Sequence, residues 1–216
     1  MIINSFEIFN TRREYNLGTL RRSNLTTNPM DLFSKWLQEA YLKKIPDPNA
    51  MCISTVDRTG QPFQRLVLLK YFNDETMMFF TNLKSRKSIH LIDNPKISLC
   101  FPWSIIDRQV IVTGNVNKLS QKEVSQYFYT RPKNNQISTW ASRQSSIVSS
   151  RNIFENKFLK FKTKYLNKNI PFPKFWGGYK IYINSIEFWQ GGMYRLHDRF
   201  IYRKNKKKWS VDRLSP

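Results

Sequence analysis

The feature that most constrains the fold is a run of strand-length segments separated by turn signals. Residues 50–56, 62–72 and 76–81 have the β-branched and aromatic composition of strands. Residues 57–60 (DRTG) and 73–75 (NDE) separate them with turn-forming side chains. Two hairpins in succession indicate an antiparallel meander. Further strands are predicted at residues 96–103, 108–119, 175–183, 186–190, 199–204 and 209–213.

Helices are predicted as inserts between the strands. Asn28 and Pro29 begin the first helix as N-cap and first-turn proline, and residues 47–49 end it. Its apolar face repeats at helical spacing through Leu32, Phe33, Trp36, Leu37, Ala40 and Tyr41. Later helices are predicted at residues 85–93 with Ser85 as cap, at 120–130 and at 151–165, whereas residues 140–150 are left unassigned. The helix at 120–130 is expected to open with a capping box at Ser120 and Glu123 and to stop at Arg131 and Pro132.

About eight strands with inserted helices favour a mainly β fold over a doubly wound sheet. We therefore predict an antiparallel barrel with peripheral helices. Residues 1–27 are polar and are expected to form a mobile N-terminal arm. No linker or repeat divides the remainder, so residues 28–216 are predicted to be a single domain.

The net charge of +21 suits an anionic partner. The chain also has 19 Asn and only three Ala, so we hypothesise that drift toward AT-rich codons supplied part of the Lys excess. A balanced coding sequence would remove that explanation. The remaining charge fits a phosphate-bearing small molecule as well as a nucleic acid.

Composition also predicts a cytoplasmic protein. Cys52 and Cys100 lie in apolar runs, which favours buried free thiols over a disulfide and fits a reducing compartment. We expect no signal peptide and no membrane span, since no apolar stretch approaches about 18 residues. No Cys and His cluster has the spacing of metal ligands, so no metal is predicted.

Residues 188–199 (FWQGGMYRLHDR) combine an aromatic ring, a glycine pair and spaced cations. If this segment is extended, Arg195, His197 and Arg199 project from one face. A cationic face beside Trp189 suits a planar, anionic ligand. The alternative interpretation is an ordinary hairpin with a solvated basic face.

Several other segments could contribute to a binding site. Arg65 and Lys70 bracket an apolar run at an odd spacing, which places them on opposite faces of a regular strand unless a bulge intervenes. Residues 80–87 (FTNLKSRK) lead a strand into a basic helix start, which is either a phosphate site or simply solvated. Polar groups able to add contacts are Gln109, Tyr127, Arg131, Gln144 and Ser145.

These residues supply cations, amides and aromatic rings, but no Ser-His-Asp set, paired carboxylates or Walker loop. Such a site either only binds a ligand or positions a cofactor that carries the chemistry.

In this order the motifs resemble the pyridoxine/pyridoxamine 5′-phosphate oxidase family. The resemblance runs from about residue 12 to residue 216. It rests on residues 12–15 (RREY), 64–70 (QRLVLLK), 81–82 (TN), 85–87 (SRK), 108–109 (RQ), 127–128 (YF), 131–132 (RP), 144–146 (QSS), 175–178 (FWGG), 187–192 (EFWQGG) and 195–199 (RLHDR).

The resemblance implies an FMN-binding split β-barrel that forms a homodimer, with flavin sites at the subunit interface. It implies oxidation of pyridoxine 5′-phosphate and pyridoxamine 5′-phosphate to pyridoxal 5′-phosphate by hydride transfer from the substrate 4′ carbon to the flavin. Oxygen is the acceptor, and hydrogen peroxide and, from the amine, ammonia are released. The implied FMN contacts are Arg65, Leu66, Val67, Leu68, Leu69, Lys70, Phe80, Thr81, Arg86, Lys87, Gln109, Gln144, Ser145, Trp189 and Arg199.

The resemblance also implies which residues hold the substrate. The substrate phosphate would be bound by Lys70, Tyr127 and Arg131. Asn135 occupies the position at which the family usually has a Ser that binds this phosphate. The implied catalytic residues are Arg195 and His197, which would close over the pyridine ring, with Arg12 and Tyr15 as a lid.

Two other functions are weighed against this one. A flavoprotein reductase of the same fold would keep the flavin and take another substrate. A basic nucleic-acid-binding barrel would use residues 203–208 (RKNKKK) as its electrostatic patch.

Overall fold

The computed structural model describes residues 9–216, so residues 1–8 of the predicted arm lie outside the described residues. The strands are β1 Ala50–Val56, β2 Pro62–Leu68, β3 Tyr71–Phe72, β4 Thr76–Asn82, β5 Lys96–Trp103, β6 Arg108–Lys118, β7 Trp176–Gln190, β8 Asp198–Asn205 and β9 Lys208–Leu214. The helices are α1 Pro29–Leu42, α2 Arg86–Asp93, α3 Gln121–Thr130, α4 Lys133–Ala141 and α5 Asn152–Lys164. Short 3-10 turns occur at Arg22–Asn24, Ser104–Ile106 and Met193–Arg195.

Local helix signals are confirmed where they involve capping. Asn28 Oδ1 accepts the Met30 N–H with Pro29 in the first turn, and Ser120 and Glu123 form a reciprocal capping box at α3. α1 ends at Leu42 rather than at residues 47–49, and Tyr41 is 54% exposed instead of buried.

The strands form one nine-stranded sheet in the order β2-β1-β5-β6-β7-β4-β3, with β8 between β7 and β9. The hairpins β1–β2, β3–β4 and β8–β9 are all antiparallel. This confirms a mainly β, antiparallel fold in which helices are inserts. The two strands predicted at residues 175–183 and 186–190 are one continuous strand, β7.

The chain divides into two compact units. Within the described residues, we call residues 9–48, Phe101–Ile111 and Ser185–Pro216 the terminal unit, and Asn49–Cys100 with Val112–Asn184 the central unit. The predicted division into an arm at 1–27 and a single domain at 28–216 stays a prediction.

The core of the terminal unit is aromatic. Phe33 of α1 packs edge-on against Phe101, and Trp36 packs edge-on against Phe188 at 5.2 Å between ring centroids. Trp103 is 2% exposed, and its Nε1 donates to the Pro48 carbonyl at 2.8 Å. Burying large rings with their polar atoms satisfied is strongly stabilising.

The core of the central unit joins α3, α4 and the start of β7. Phe128 is fully buried and lies edge-on to Trp176 and Phe172. α4 was not predicted, because its sequence (KNNQISTWA) is rich in poor helix formers. Its buried Ile137 and Ala141 show that tertiary packing stabilises it.

The predicted strand at residues 62–72 is interrupted at Leu69 and Lys70. The Leu69 N–H donates to Asn49 O, whereas the Lys70 N–H donates to Met78 O. The chain therefore leaves β1 and joins β4 within two residues, which interrupts the regular alternation of side chains. This change of partner lets Arg65 and Lys70 line the same cavity.

Candidate active site

The central unit contains a cavity of about 920 Å³. Its lining includes five cationic side chains, Arg65, Lys70, Arg86, Lys87 and Arg131, and no carboxylate. Aromatic rings and amides supply much of the remaining wall, including Phe80, Tyr127, Trp176, Asn135 and Gln144. Because nothing in this lining neutralises the cations, the cavity suits a ligand with more than one negative charge.

Arg65 is held in place by a neighbouring strand. Its Nη1 donates to Thr55 Oγ1 at 2.6 Å, and Thr55 Oγ1 lies 3.0 Å from Nδ1 of the buried His90. Burial lowers the pKa of Arg65 below its ordinary value. A guanidinium that is fixed and partly desolvated is well prepared to receive an anion.

Lys87 is the most deeply buried of these cations, with 5% of its surface exposed. Its Nζ donates to Thr81 Oγ1 at 3.1 Å and to Ser85 Oγ at 3.2 Å. Burial first, and then the charge of Arg65, lower its pKa to about 8. A buried ammonium that is hydrogen-bonded only to hydroxyl groups in the described part of the chain favours an incoming anion.

The N-terminus of α2 also faces this cavity. Ser85 occupies the N-cap position but makes no side-chain capping bond, contrary to the sequence prediction. Instead Ser145 Oγ accepts the Arg86 N–H at 3.2 Å, and Ser145 adopts a left-handed conformation with φ of 68°. Gln144 accepts a 3.4 Å hydrogen bond from Thr81, so residues 144–145 are brought to the predicted phosphate site.

Arg131 and Tyr127 form a second wall of the central cavity, which pairs a cation with an aromatic ring. Arg131 lies over the Trp176 ring at 4.6 Å, and Tyr127 stacks on Phe80 with 4.0 Å between centroids. Arg131 donates to Thr139 Oγ1 at 2.9 Å and to the Asn135 carbonyl at 3.0 Å. Thr139, which sequence reasoning missed, therefore orients the guanidinium.

The terminal unit contains a separate cluster of rings and cations. The Tyr15 ring lies edge-on to Trp189 at 5.6 Å and to His197 at 5.3 Å between centroids. Arg195 lies 5.1 Å from the centre of the same ring. Three of the residues predicted to meet the substrate ring are thus brought together with one predicted flavin contact.

The predicted alternation of Arg195, His197 and Arg199 along an extended strand is wrong. Met193–Arg195 form a 3-10 turn in which Tyr194 and Arg195 have positive φ values of 55° and 63°. β8 begins only at Asp198. Arg195 reaches Tyr15 because of this turn and not because of strand periodicity.

His197 has one ring nitrogen occupied by a backbone donor. Its Nδ1 accepts the Gly192 N–H at 3.1 Å, so the neutral ring carries its proton on Nε2. Burial, followed by the charges of Arg195 and Arg199, lowers the pKa of His197. The adjacent Asp198 accepts from Arg213 and the Leu20 N–H.

Glu187 orients Arg199. Arg199 Nε donates to Glu187 Oε1 at 2.9 Å, and Nη2 lies 2.8 Å from the same oxygen. Its Nη1 donates to the Ser215 carbonyl. Sequence reasoning missed Glu187, although a hairpin through Gly191 and Gly192 places residues 187 and 199 on one face.

Arg13, next to the predicted lid residue Arg12, attaches the arm to the terminal unit. Arg13 Nη2 lies 2.5 Å from Oδ1 of the buried Asp107, which raises the pKa of Arg13. Arg13 also lies 4.5 Å from the centre of the Tyr15 ring. Arg12 is exposed, and the predicted ligand Gln109 is half-buried on β6 in the terminal unit and does not line the central cavity.

Replacing Gly191 with alanine is expected to displace Tyr15. A Cβ at residue 191 would lie 2.8 Å from Tyr15 Cβ, so the ring must leave Trp189 and His197. We expect Gly191→Ala to lose about 1–3 kcal/mol of stability and to accelerate amide exchange at residues 12–18. Exchange in the central unit serves as the control. Wild-type protection of residues 12–18 would contradict this packing.

The chain matches two protein-family models. Residues 37–165 match the family model for pyridoxamine 5′-phosphate oxidase. Residues 176–216 match the model for the pyridoxine 5′-phosphate oxidase C-terminal dimerisation region. Together the two matches include every residue that lines the central cavity and the whole of β7, β8 and β9.

Curated relatives match over nearly the whole chain. A pyridoxine/pyridoxamine 5′-phosphate oxidase of Blochmanniella floridana is 71% identical, covering 97% of this chain and 98% of its own. The protein of the same name from Blochmanniella pennsylvanica (strain BPEN) is 63% identical over 100% of both chains.

Solved structures show the same fold. PhzG from Burkholderia lata 383, in complex with tetrahydrophenazine-1-carboxylic acid, superposes with a TM-score of 0.85 at 23% identity, covering 92% of this chain and 98% of its own. A pyridoxamine 5′-phosphate oxidase-related, FMN binding protein from Nostoc punctiforme PCC 73102 has a TM-score of 0.70 at 14% identity, covering 89% and 100%. With the cationic cavity, the two family matches and the full-length relatives in agreement, the chain belongs to the pyridoxine/pyridoxamine 5′-phosphate oxidase family.

Proposed function

We propose that this chain oxidises pyridoxine 5′-phosphate and pyridoxamine 5′-phosphate to pyridoxal 5′-phosphate with FMN as cofactor and oxygen as acceptor. Hydrogen peroxide is released, together with ammonia from the amine. The observation that carries the proposal is the central cavity, where five cations and no carboxylate surround aromatic walls. Two phosphate-bearing ring systems, the cofactor and the substrate, match that pattern.

The residues present fit FMN. We assign its phosphate to Arg65, Arg86 and Lys87, because these cations meet at the start of α2 with the buried Lys87 ammonium among them. Thr81, Gln144 and Ser145 add hydroxyl and amide groups, and Leu66, Val67, Leu68 and Phe80 supply apolar wall. The predicted contact Leu69 is 5% exposed and does not line the cavity. When bound, FMN supplies hydride acceptance and passes the electrons to oxygen.

The substrate phosphate is assigned to Lys70, Tyr127 and Arg131. Arg131 is fixed by Thr139, Asn135 O and the Trp176 ring, so little side-chain freedom remains to be lost on binding. Asn135 is exposed on α4 and lines the cavity where the family usually has Ser. Its amide can donate to phosphate, so we propose rearranged binding rather than loss.

The pyridine ring is assigned to Arg195 and His197, with Tyr15 and Arg12 of the arm as a lid. Arg195 stabilises negative charge that develops on the ring, and His197 can donate only through Nε2 while Nδ1 is occupied. Trp189 and Arg199 are assigned to the flavin, as is Gln109. Glu187 fixes the direction of Arg199 and is a positioning residue.

We also propose a homodimer and a cytoplasmic location. The name of the matched C-terminal region supports an interface between two copies of the chain. No helix within residues 9–216 has the length and apolarity needed to cross a membrane.

A direct assay tests the activity. Protein reconstituted with FMN should consume oxygen and form pyridoxal 5′-phosphate from either phosphorylated substrate. Unphosphorylated pyridoxine serves as the control and should react far more slowly, because the contacts of Arg131 and Tyr127 are missing. Tight FMN binding without oxidation of either substrate would favour the reductase alternative. Salt-sensitive RNA binding without flavin would favour the nucleic-acid alternative.

Lys87 makes cofactor affinity depend on pH. A bound phosphate favours the charged ammonium, whereas the free cavity gives Lys87 a pKa of about 8. Binding above pH 8 therefore requires proton uptake, and FMN affinity should fall as pH rises from about 8 toward 10. Fluorescence titration of the apoprotein measures this. Lys87→Met should bind more weakly at pH 7 and lose the dependence, and a flat wild-type profile would contradict the assignment.

A further inference from the structure

The only two cysteines of the chain lie opposite each other on adjacent strands. β1 pairs with β5 in the antiparallel register that sets Cys52 against Cys100. Both thiols are free and half-buried, rather than buried as the sequence predicted. The reason is strand alternation: the cysteines occupy the less buried face, on which Ser54 and Ser98 form the next opposed pair.

This register places the cysteines at a spacing that a disulfide can bridge. Directly opposed residues of antiparallel strands have Cα atoms about 4.5–5.5 Å apart. Disulfides connect Cα atoms about 4.4–6.8 Å apart, and opposed side chains project from the same face. The register therefore brings the Cα atoms of Cys52 and Cys100 into the range that a disulfide spans.

We propose that Cys52 and Cys100 form a peroxide-responsive dithiol that closes to an intramolecular disulfide between β1 and β5. The oxidant is hydrogen peroxide, which the proposed oxidase activity releases. In this respect the inference rests on the proposed function.

The chemistry proceeds in two balanced steps. The Cys52 thiolate attacks one oxygen of hydrogen peroxide, and the O–O bond breaks. The departing hydroxide combines with the proton that the Cys52 thiol released on ionisation, and water forms. Cys52 is then a sulfenic acid. The Cys100 sulfur attacks the Cys52 sulfur, the S–O bond breaks, and a second water leaves with the Cys100 proton. The sulfur atoms lose two electrons, and the peroxide is reduced to water.

Cys52 is assigned the first step because the opposed Cys100 thiol is the less readily ionised of the two partners in this reaction. Burial, followed by the nearby Cys52, raises the pKa of the Cys100 thiol to about 11, and the thiolate is the reactive form. Cys100 therefore suits the resolving role, which requires proximity to Cys52. Closing the disulfide also prevents irreversible oxidation of Cys52 to sulfinic acid. Neither cysteine lines the central cavity.

The test uses the reduced, full-length protein and added hydrogen peroxide. After stoichiometric peroxide and alkylation with iodoacetamide, intact mass spectrometry should show a species lighter by two hydrogen atoms with neither thiol alkylated. Peptide mapping should link residues 52 and 100, and dithiothreitol should restore both thiols. Because the peroxide is added, this result does not depend on oxidase activity. An active oxidase that forms no disulfide would overturn this inference and leave the proposed function unaffected.

Single substitutions distinguish the two roles. Cys100→Ser should accumulate a sulfenic acid at Cys52 that dimedone traps, whereas Cys52→Ser should remain reduced at low peroxide. Two outcomes would overturn the proposal. One is alkylation of both thiols after peroxide treatment of the wild type, and the other is a disulfide between two chains on a non-reducing gel.

Discussion

Replacing Arg195 with leucine should reduce turnover by roughly 10²–10³-fold while FMN remains bound, because loss of one donor to developing charge has an effect of that size. Arg195 packs on Tyr15 and belongs to the proposed substrate side of the site. Leucine keeps much of the apolar contact but removes the charge. Steady-state oxygen uptake measures kcat, and the flavin absorbance of the purified variant measures cofactor retention.

The matched control is Arg203→Leu on the same unit. Arg203 forms an exposed ion pair with Asp212 on the β8–β9 hairpin, so its loss should leave turnover unchanged. Loss of flavin from the Arg195 variant would place this residue on the cofactor side and would refute the assignment.

Replacing Arg131 with alanine should raise the KM for pyridoxine 5′-phosphate by about 10- to 100-fold with kcat nearly unchanged. Hydrogen bonds to charged groups contribute about 1.5–3 kcal/mol, and 1.4 kcal/mol corresponds to a tenfold change. The phosphate does not react, so its contact is lost equally from the ground state and the transition state. Initial rates over a range of substrate concentrations separate the two constants.

Arg151→Ala is the control for this experiment. Arg151 is exposed and pairs with Glu155 in α5, away from the cavity lining. Thermal unfolding of both variants shows whether loss of the Arg131 stack on Trp176 changes stability. An unchanged KM in folded Arg131→Ala would exclude Arg131 as a phosphate ligand.

Local signals predicted those parts of the fold that depend on neighbours in sequence. The N-cap at Asn28, the capping box at Ser120 and the β1–β2 hairpin are examples, because their hydrogen bonds join residues close in the chain. The stop at Arg131 and Pro132 was predicted for the same reason.

The remainder depends on distant partners. The interruption at Leu69 and Lys70 arises because β2 pairs with β1 while β3 pairs with β4, and no local residue marks that change. Ser145 caps α2 across a separation of 59 residues. α4 has weak helix propensity and depends on the buried Ile137 and Ala141.

The candidate site shows the same division. Arg65, Lys87 and Arg131 lie in sequence motifs that predicted them as site residues, whereas Thr55, Thr139 and Glu187, which orient neighbouring arginines, were missed. A single Thr or Glu has no distinctive sequence pattern when its partner lies on another element. The left-handed Arg195 was also missed, because a positive φ at a non-glycine residue depends on the surrounding structure.

The most direct test is the visible absorption spectrum of the FMN-reconstituted protein without oxygen, before and after adding pyridoxine 5′-phosphate. Oxidation of this substrate by the bound cofactor predicts that the flavin bands bleach on addition and return when air is admitted. Protein with Arg195→Leu provides the control and should bleach far more slowly. A wild-type spectrum that shows bound flavin and stays unchanged after substrate addition would contradict the account.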